Sequence, residues 1–168
     1  MRFHLCLINF TMLICLSAGN TSAKIQNKSI GFLPNFFIFA KNITMLKIGL
    51  SHTSITTVNA SNTARTYGSG GLDVFATPAM IGLMENAAMT AVENDLPQGS
   101  STVGAHISTS HIKPSKLGAT IKATAILEEI DGRKLTFKVT ASDDDGLIGE
   151  GTHIRYIVDI ERFMSKIK

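Results

Sequence analysis

The sequence predicts an α+β fold in which a curved antiparallel sheet wraps around one long buried helix, and three features carry that expectation. The stretch Phe75 to Val92, FATPAMIGLMENAAMTAV, is apolar nearly all the way round a helical wheel, and Glu85 is its only charged member. A helix of this kind belongs inside a protein. The segments after it alternate apolar and polar residues at period two, the mark of half-buried strands. Asp131-Gly132 and Asp143-Asp144-Asp145-Gly146 then supply turn signals between the last three of them.

Taken from the amino terminus, 168 residues are enough for one core and short for two, so one domain plus an extension is expected. Residues 1–44 form the extension and residues 45–168 the domain. The extension contains Arg2, Lys24, Lys28 and Lys41 but no acidic residue, and it holds both cysteines, Cys6 and Cys15. Residues 1–23 resemble a secretory signal, with Arg2 before the apolar run Leu5 to Ala18 and a small-residue site at Thr21-Ser22-Ala23. An organellar presequence, and non-native sequence upstream of a start at Met45, compete with that reading. The start at Met45 is preferred because the globular pattern begins there. It makes the domain cytoplasmic, whereas a working signal would export it or send it to an organelle.

Leu46–Leu50 and Thr53–Val58 read as extended, with β-branched residues in the second half. Asn59 to Gly71 reads as a loop. Its Gly68-Ser69-Gly70-Gly71 run lacks both the GxGxxG spacing and the GK[ST] ending of a phosphate cradle. Thr77 suits an N-cap and Pro78 the first helical position, which places the helix over about Pro78–Val92. It is too short to span a bilayer. Strands follow over Thr102–Ser110, Thr120–Ile130, Lys134–Ser142 and Leu147–Ile160, and Glu161 to Lys168 suits a short terminal helix. On the third of the strands Leu135, Phe137 and Val139 share a face, as do Ile121, Ala123, Ala125 and Leu127 on the second.

Composition narrows the function. Residues 45–168 carry 12 basic and 13 acidic residues, a formal charge of −1, with no basic run, which speaks against a nucleic-acid binder. Without cysteine, covalent chemistry there must use oxygen or nitrogen. His52, His106, His111 and His153 show no metal spacing such as HExxH, and the three adjacent aspartates lack EF-hand spacing, so neither a metal nor another cofactor is expected. Glu85 is the residue most in need of explanation, because a lone carboxylate on a buried helix is costly unless paired.

VFATPAMIGLME, TVGAHISTSH, DGRKLTFKV and GLIGEGTHIRYIV, in that order, resemble the fluoroacetyl-CoA thioesterase-like family of hot-dog fold thioesterases over essentially all of Met45–Lys168. The resemblance implies a homodimer that hydrolyses acyl-CoA thioesters at a site on the dimer interface. It implies Thr77, Glu85 and His111 as catalytic residues, and Gly104 and Arg155 as substrate-contacting ones. The chain departs from the fluoroacetyl-specific member just before the helix. Tyr67-Gly68-Ser69-Gly70-Gly71-Leu72-Asp73 stands there in place of a lid with aromatic and acidic residues.

Elementary chemistry fits those roles. His111 titrates near neutrality and suits a general base or acid; Thr77 offers a hydroxyl as nucleophile or hydrogen-bond partner, at a helix N-terminus that favours a polarised carbonyl. Arg155 alternates in its strand as an ordinary surface residue also would. Thr77 and Glu85, eight residues apart, are separated by roughly 12 Å along a helix axis, so one compact triad needs Glu85 from a second protomer or a bridge through His111 or water. The expected function is therefore an acyl-CoA thioesterase for a small or medium acyl group. A hydratase would need an Asp/His pair at a spacing this chain lacks, and the non-enzymatic alternative is an acyl-CoA-binding module.

Overall fold

The computed structural model describes residues 46–167. The signal-like segment 1–23 and the boundary at Met45 lie outside the described residues. The elements run β1 (Ser51–Thr57), α1 (Ala64–Tyr67), α2 (Thr77–Glu93), β2 (Ser100–His111), β3 (Thr120–Asp131), β4 (Lys134–Asp143), β5 (Gly146–Asp159) and α3 (Ile160–Met164). The strands form one sheet in the order β1-β3-β4-β5-β2, antiparallel throughout. No helix among the described residues is long and apolar enough to cross a membrane.

The period-two faces build the core as their spacing predicts. Ile121, Ala123, Ala125 and Leu127 of β3 and Leu135, Phe137 and Val139 of β4 are fully buried, opposite Met80, Met84, Ala87, Ala88 and Val92 of α2. Full burial of each large side chain contributes about 1.5–3 kcal/mol. The helix packs on β1, β2, β3 and β4. On β5 it meets Gly149, where an added Cβ would lie 2.7 Å from Met80 Sδ and 2.6 Å from the Ser110 carbonyl. Glycine there lets α2 and the neighbouring strand β2 both close in on β5.

Four local expectations change. Leu46–Leu50 is not a strand: it turns at Gly49, whose φ of +93° breaks an extended run, and its only bonds to the neighbouring strand among the described residues are at Leu127, where the Gly49 N–H donates to the carbonyl and the Leu50 carbonyl accepts from the N–H. The loop before α2 contains α1, one helical turn capped by Thr63, whose hydroxyl accepts from the Thr66 N–H, and closed by Gly68 in the left-handed region. A single turn is too short to leave a periodic pattern. Thr77 is not the N-cap of α2. Ala76 holds that position without a side-chain bond, and Thr77 is the first helical residue. Lastly, the sheet covers α2 from one side, and Ile81, Leu83, Glu85 and Met89 on its flanks keep part of their surface. Glu85 is therefore not buried within the chain, and its side chain is 42% exposed.

Candidate active site

Two polar clusters flank α2. The first forms because the chain entering the helix is sewn to the chain leaving β2. Phe75 N–H donates to the Ser115 carbonyl at 2.9 Å, Val74 bridges to Lys116, and Ile112 N–H donates to the Ile148 carbonyl at 2.8 Å. Thr77 starts α2 and His111 ends β2, so this stitching sets them side by side, with Thr77 Oγ1 2.9 Å from His111 Nδ1. A pocket of about 240 Å³ opens beside the pair, lined among others by Val74, Phe75, Ile112 and Pro114.

Burial pushes the His111 imidazole below its ordinary 6.5, countered only in part by a backbone contact at Lys113. It is thus a neutral base at pH 7. With the Thr77 hydroxyl donating to Nδ1, the ring proton sits on Nε2, which is buried and has no partner among the described residues.

The segment after His111 is held by Asp143, whose side chain is only 5% exposed. Its carboxylate accepts from Lys113 Nζ at 3.1 Å, Ser115 Oγ at 2.8 Å and the Asp145 N–H at 3.0 Å. Burial works against its ionisation, but these donors outweigh it and hold the carboxyl below its usual range. The acidic turn between β4 and β5 is therefore a latch that fixes the loop behind the imidazole.

The second cluster sits where the middle of α2 crosses β5 and β2. Arg155 Nε donates to Thr102 Oγ1 at 2.9 Å, its Nη2 to the Thr102 carbonyl at 2.8 Å, and its Nη1 lies 3.2 Å from His153 Nε2. A guanidinium only donates, so His153 Nε2 must accept. The ring proton is then on Nδ1, 2.8 Å from the His106 carbonyl, which can only accept. His153 is a neutral imidazole bonded at both nitrogens. Burial, foremost, lowers its pKa, opposed in part by the bond to the His106 carbonyl, with Arg155 lowering it and Glu85 raising it by less. The Glu85 Oε1 to His153 Nε2 approach of 3.8 Å is consequently no ion pair, since it is too long for a hydrogen bond and meets a lone pair. The charge facing Glu85 is Arg155, whose pKa is lowered by burial and raised in part by that carboxylate.

Gly104 completes this second cluster. A Cβ there would lie 2.9 Å from Glu85 Oε1, 3.2 Å from His153 Cε1 and 3.6 Å from Arg155 Nη1. The fold thus brings Thr77 to His111, and Glu85 to Gly104 and Arg155, but no hydrogen bond or ion pair joins the two groups among the described residues. His153 and Thr102 were not singled out as a pair with Arg155 from sequence. The signal was the alternation in β5, where Gly149, His153 and Arg155 share the buried face. No three His, Cys, Asp or Glu side chains gather as a metal would need among the described residues.

Known proteins share this architecture. A family model described as fluoroacetyl-CoA-specific thioesterase matches residues 58–161, a span that includes all five expected site residues. The fluoroacetyl-CoA thioesterase of Streptantibioticus cattleyicolor is 38% identical over 96 residues, covering 57% of this chain and 69% of that protein. A solved structure of a fluoroacetyl-CoA thioesterase superposes with a TM-score of 0.69 at 32% identity, over 73% of this chain and 96% of that one. A thioesterase superfamily member from Thermus thermophilus, 24% identical over 72% of this chain and 90% of its own, gives 0.67 and shares the fold. The family model over residues 58–161 and the 38% identity over 96 residues place the chain in the fluoroacetyl-CoA-specific thioesterase family.

Proposed function

We propose that the chain is an acyl-CoA thioesterase that hydrolyses a small or medium acyl thioester to the free acid and CoA. The observation that carries this reading is the 2.9 Å contact between the Thr77 hydroxyl and a neutral His111 at the start of α2. The imidazole accepts a proton from Thr77, or from a water that Thr77 holds, as oxygen attacks the thioester carbon. The first turn of α2, which carries partial positive charge, stabilises the developing oxyanion. His111 then returns the proton to the departing thiolate; where Thr77 is the nucleophile, the same imidazole next deprotonates a water that cleaves the acyl-Thr77 ester, releasing the free acid and restoring the hydroxyl. Gly104 lets the substrate approach the β2 backbone closely, and Arg155 contacts the substrate.

Glu85 joins this chemistry across a homodimer. Two features support that reading. Its carboxylate is 42% exposed and roughly 12 Å along α2 from Thr77, out of reach within one chain. The twelve-residue β2 lies at the edge of the sheet, where strand pairing with a second copy would bring two sites together. The domain acts in the cytoplasm, and mass spectrometry of the native amino terminus tests that location, since a start at Met45 removes the signal-like segment.

The decisive test is CoA release from a panel of acyl-CoA esters, quantified by chromatography with the purified protein. Turnover confined to a few acyl groups and lost in His111→Ala establishes the activity. Thermal stabilisation by the same esters without turnover makes the chain an acyl-CoA-binding module instead.

A further inference from the structure

His153 has no part in the proton transfer just described, yet it is fully buried on the sheet face that looks at α2. An apolar residue would fill that position at lower cost, because a buried imidazole is tolerated only when its polar atoms are satisfied. Here both are, and each by a different element. Nδ1 is tied to the His106 carbonyl at the bulge of β2, where the register shifts between Gly104 and His106. Nε2 receives Arg155 Nη1.

The arrangement fixes what Arg155 has left to give. Of the five N–H groups of a guanidinium, two are committed to Thr102 and one to His153. One remains on each terminal nitrogen. The two bonds to Thr102 hold one edge of the plane but leave it free to tilt about that edge. The bond to His153 removes the tilt and keeps Nη1 beside the space above Gly104, where Glu85 Oε1 also points.

We propose that His153 is a positioning residue: as a neutral imidazole held between the His106 carbonyl and Arg155 Nη1, it sets the direction in which Arg155 presents its two uncommitted N–H groups beside Glu85 and Gly104. The consequence for substrate rests on the acyl-CoA reading, since those N–H groups form a fork suited to a carbonyl or phosphate oxygen. The positioning itself does not.

Three variants of the full chain separate the role of each nitrogen. His153→Gln keeps an acceptor where Nε2 stands, His153→Asn keeps a donor where Nδ1 stands, and His153→Phe keeps neither. Nitrogen-15 spectra of histidine-labelled parent protein should show His153 protonated on Nδ1 alone at neutral pH. A slowly exchanging Arg155 Nη1–H signal should survive in His153→Gln and be lost in His153→Asn and His153→Phe. In turnover, KM for the acyl-CoA ester should rise about tenfold in Asn and Phe, with kcat changed less, and return toward the parent in Gln. A proton found on Nε2 overturns the proposal, as does an Arg155 signal and KM unaltered in Asn. If Phe fails to fold, the Gln and Asn pair still decides it. If the parent turns over no ester, the thioesterase reading fails, while the Arg155 signal alone upholds or overturns the role of His153.

Discussion

The two clusters along α2 are built to opposite rules. At the helix start, Thr77 and His111 share one hydrogen bond, Thr77 is exposed, and His111 Nε2 has no partner among the described residues. At mid-helix, His153 and Arg155 are buried and every side-chain nitrogen of theirs has a partner. An imidazole whose partner is a lone exposed hydroxyl can exchange a proton with a substrate, whereas one bonded at both nitrogens mainly holds geometry, here that of Arg155 and its two uncommitted N–H groups. The contrast assigns reaction to one end of the helix and placement to its middle, and substitutions can break or sharpen it.

The largest effect belongs to the helix start. His111→Ala and Thr77→Ala should each lower kcat by about 10²–10⁴-fold, the usual range for a lost general base or its hydroxyl partner. Stability should change by less than about 1 kcal/mol, because neither side chain is fully buried. Thr77→Ser, which keeps the hydroxyl, should retain most of the activity. A large fall in unfolding free energy with little loss of turnover would reverse the assignment.

Mid-helix the order inverts. Arg155→Met leaves His153 Nε2 and the Thr102 carbonyl without their donor, at a cost of about 2–3 kcal/mol. Urea unfolding should register that loss, with KM rising more than kcat falls. The Asp143 latch comes next. Asp143→Asn weakens the bonds from Lys113 and Ser115 and should cost about 1.5–2 kcal/mol, with a few-fold drop in turnover because the loop behind His111 loosens.

This division also explains what could be read without coordinates. The core faces of β3 and β4 follow from a period of two, and α2 follows from its composition, because burial writes a regular pattern into sequence. Thr77, Glu85 and His111 stood out through segments shared with a family. The meeting of Thr77 with His111, by contrast, depends on Phe75 bonding to Ser115, a backbone contact forty residues apart that no side-chain pattern encodes. The role of Asp143 is hidden for the same reason: its partners Lys113 and Ser115 are about thirty residues away, so the three aspartates signal only a turn. Glu85 was misjudged as buried because a wheel shows how apolar a helix is but not how much of it one sheet can cover.

The pH dependence of folding probes both clusters more gently. His111 and His153 both have folded pKa values below the ordinary 6.5, so the unfolded chain binds protons that the fold refuses. Their contribution is present above 6.5 and is lost as pH falls from there toward the folded values. Asp143 has the same sign lower down, its contribution fading as pH drops below 3.8 toward its folded value. Urea titrations at about pH 7.5 and about pH 5 should give a smaller unfolding free energy at the lower pH, with a reduced difference in His153→Gln. Equal or greater stability in acid would mean that the imidazoles are charged in the fold.

The smallest effect is the most local. In Gly104→Ala the new methyl meets two neighbours that differ in freedom. Glu85 Oε1, at 2.9 Å, is the tip of a partly exposed flexible chain and can swing aside. His153 Cε1, at 3.2 Å, belongs to a ring fixed at both nitrogens and cannot. The variant should therefore lose about 1 kcal/mol, the low end for overpacking, chiefly through the ring. A double-mutant cycle locates the strain. Removing the carboxylate with Glu85→Ala should relieve little of the cost, whereas His153→Ala should relieve most of it, giving a coupling energy only with the imidazole. Relief by Glu85→Ala alone would show that the carboxylate, rather than His153, is the immobile wall of the space above Gly104, and would shift the fixed point of the mid-helix cluster from β5 to α2.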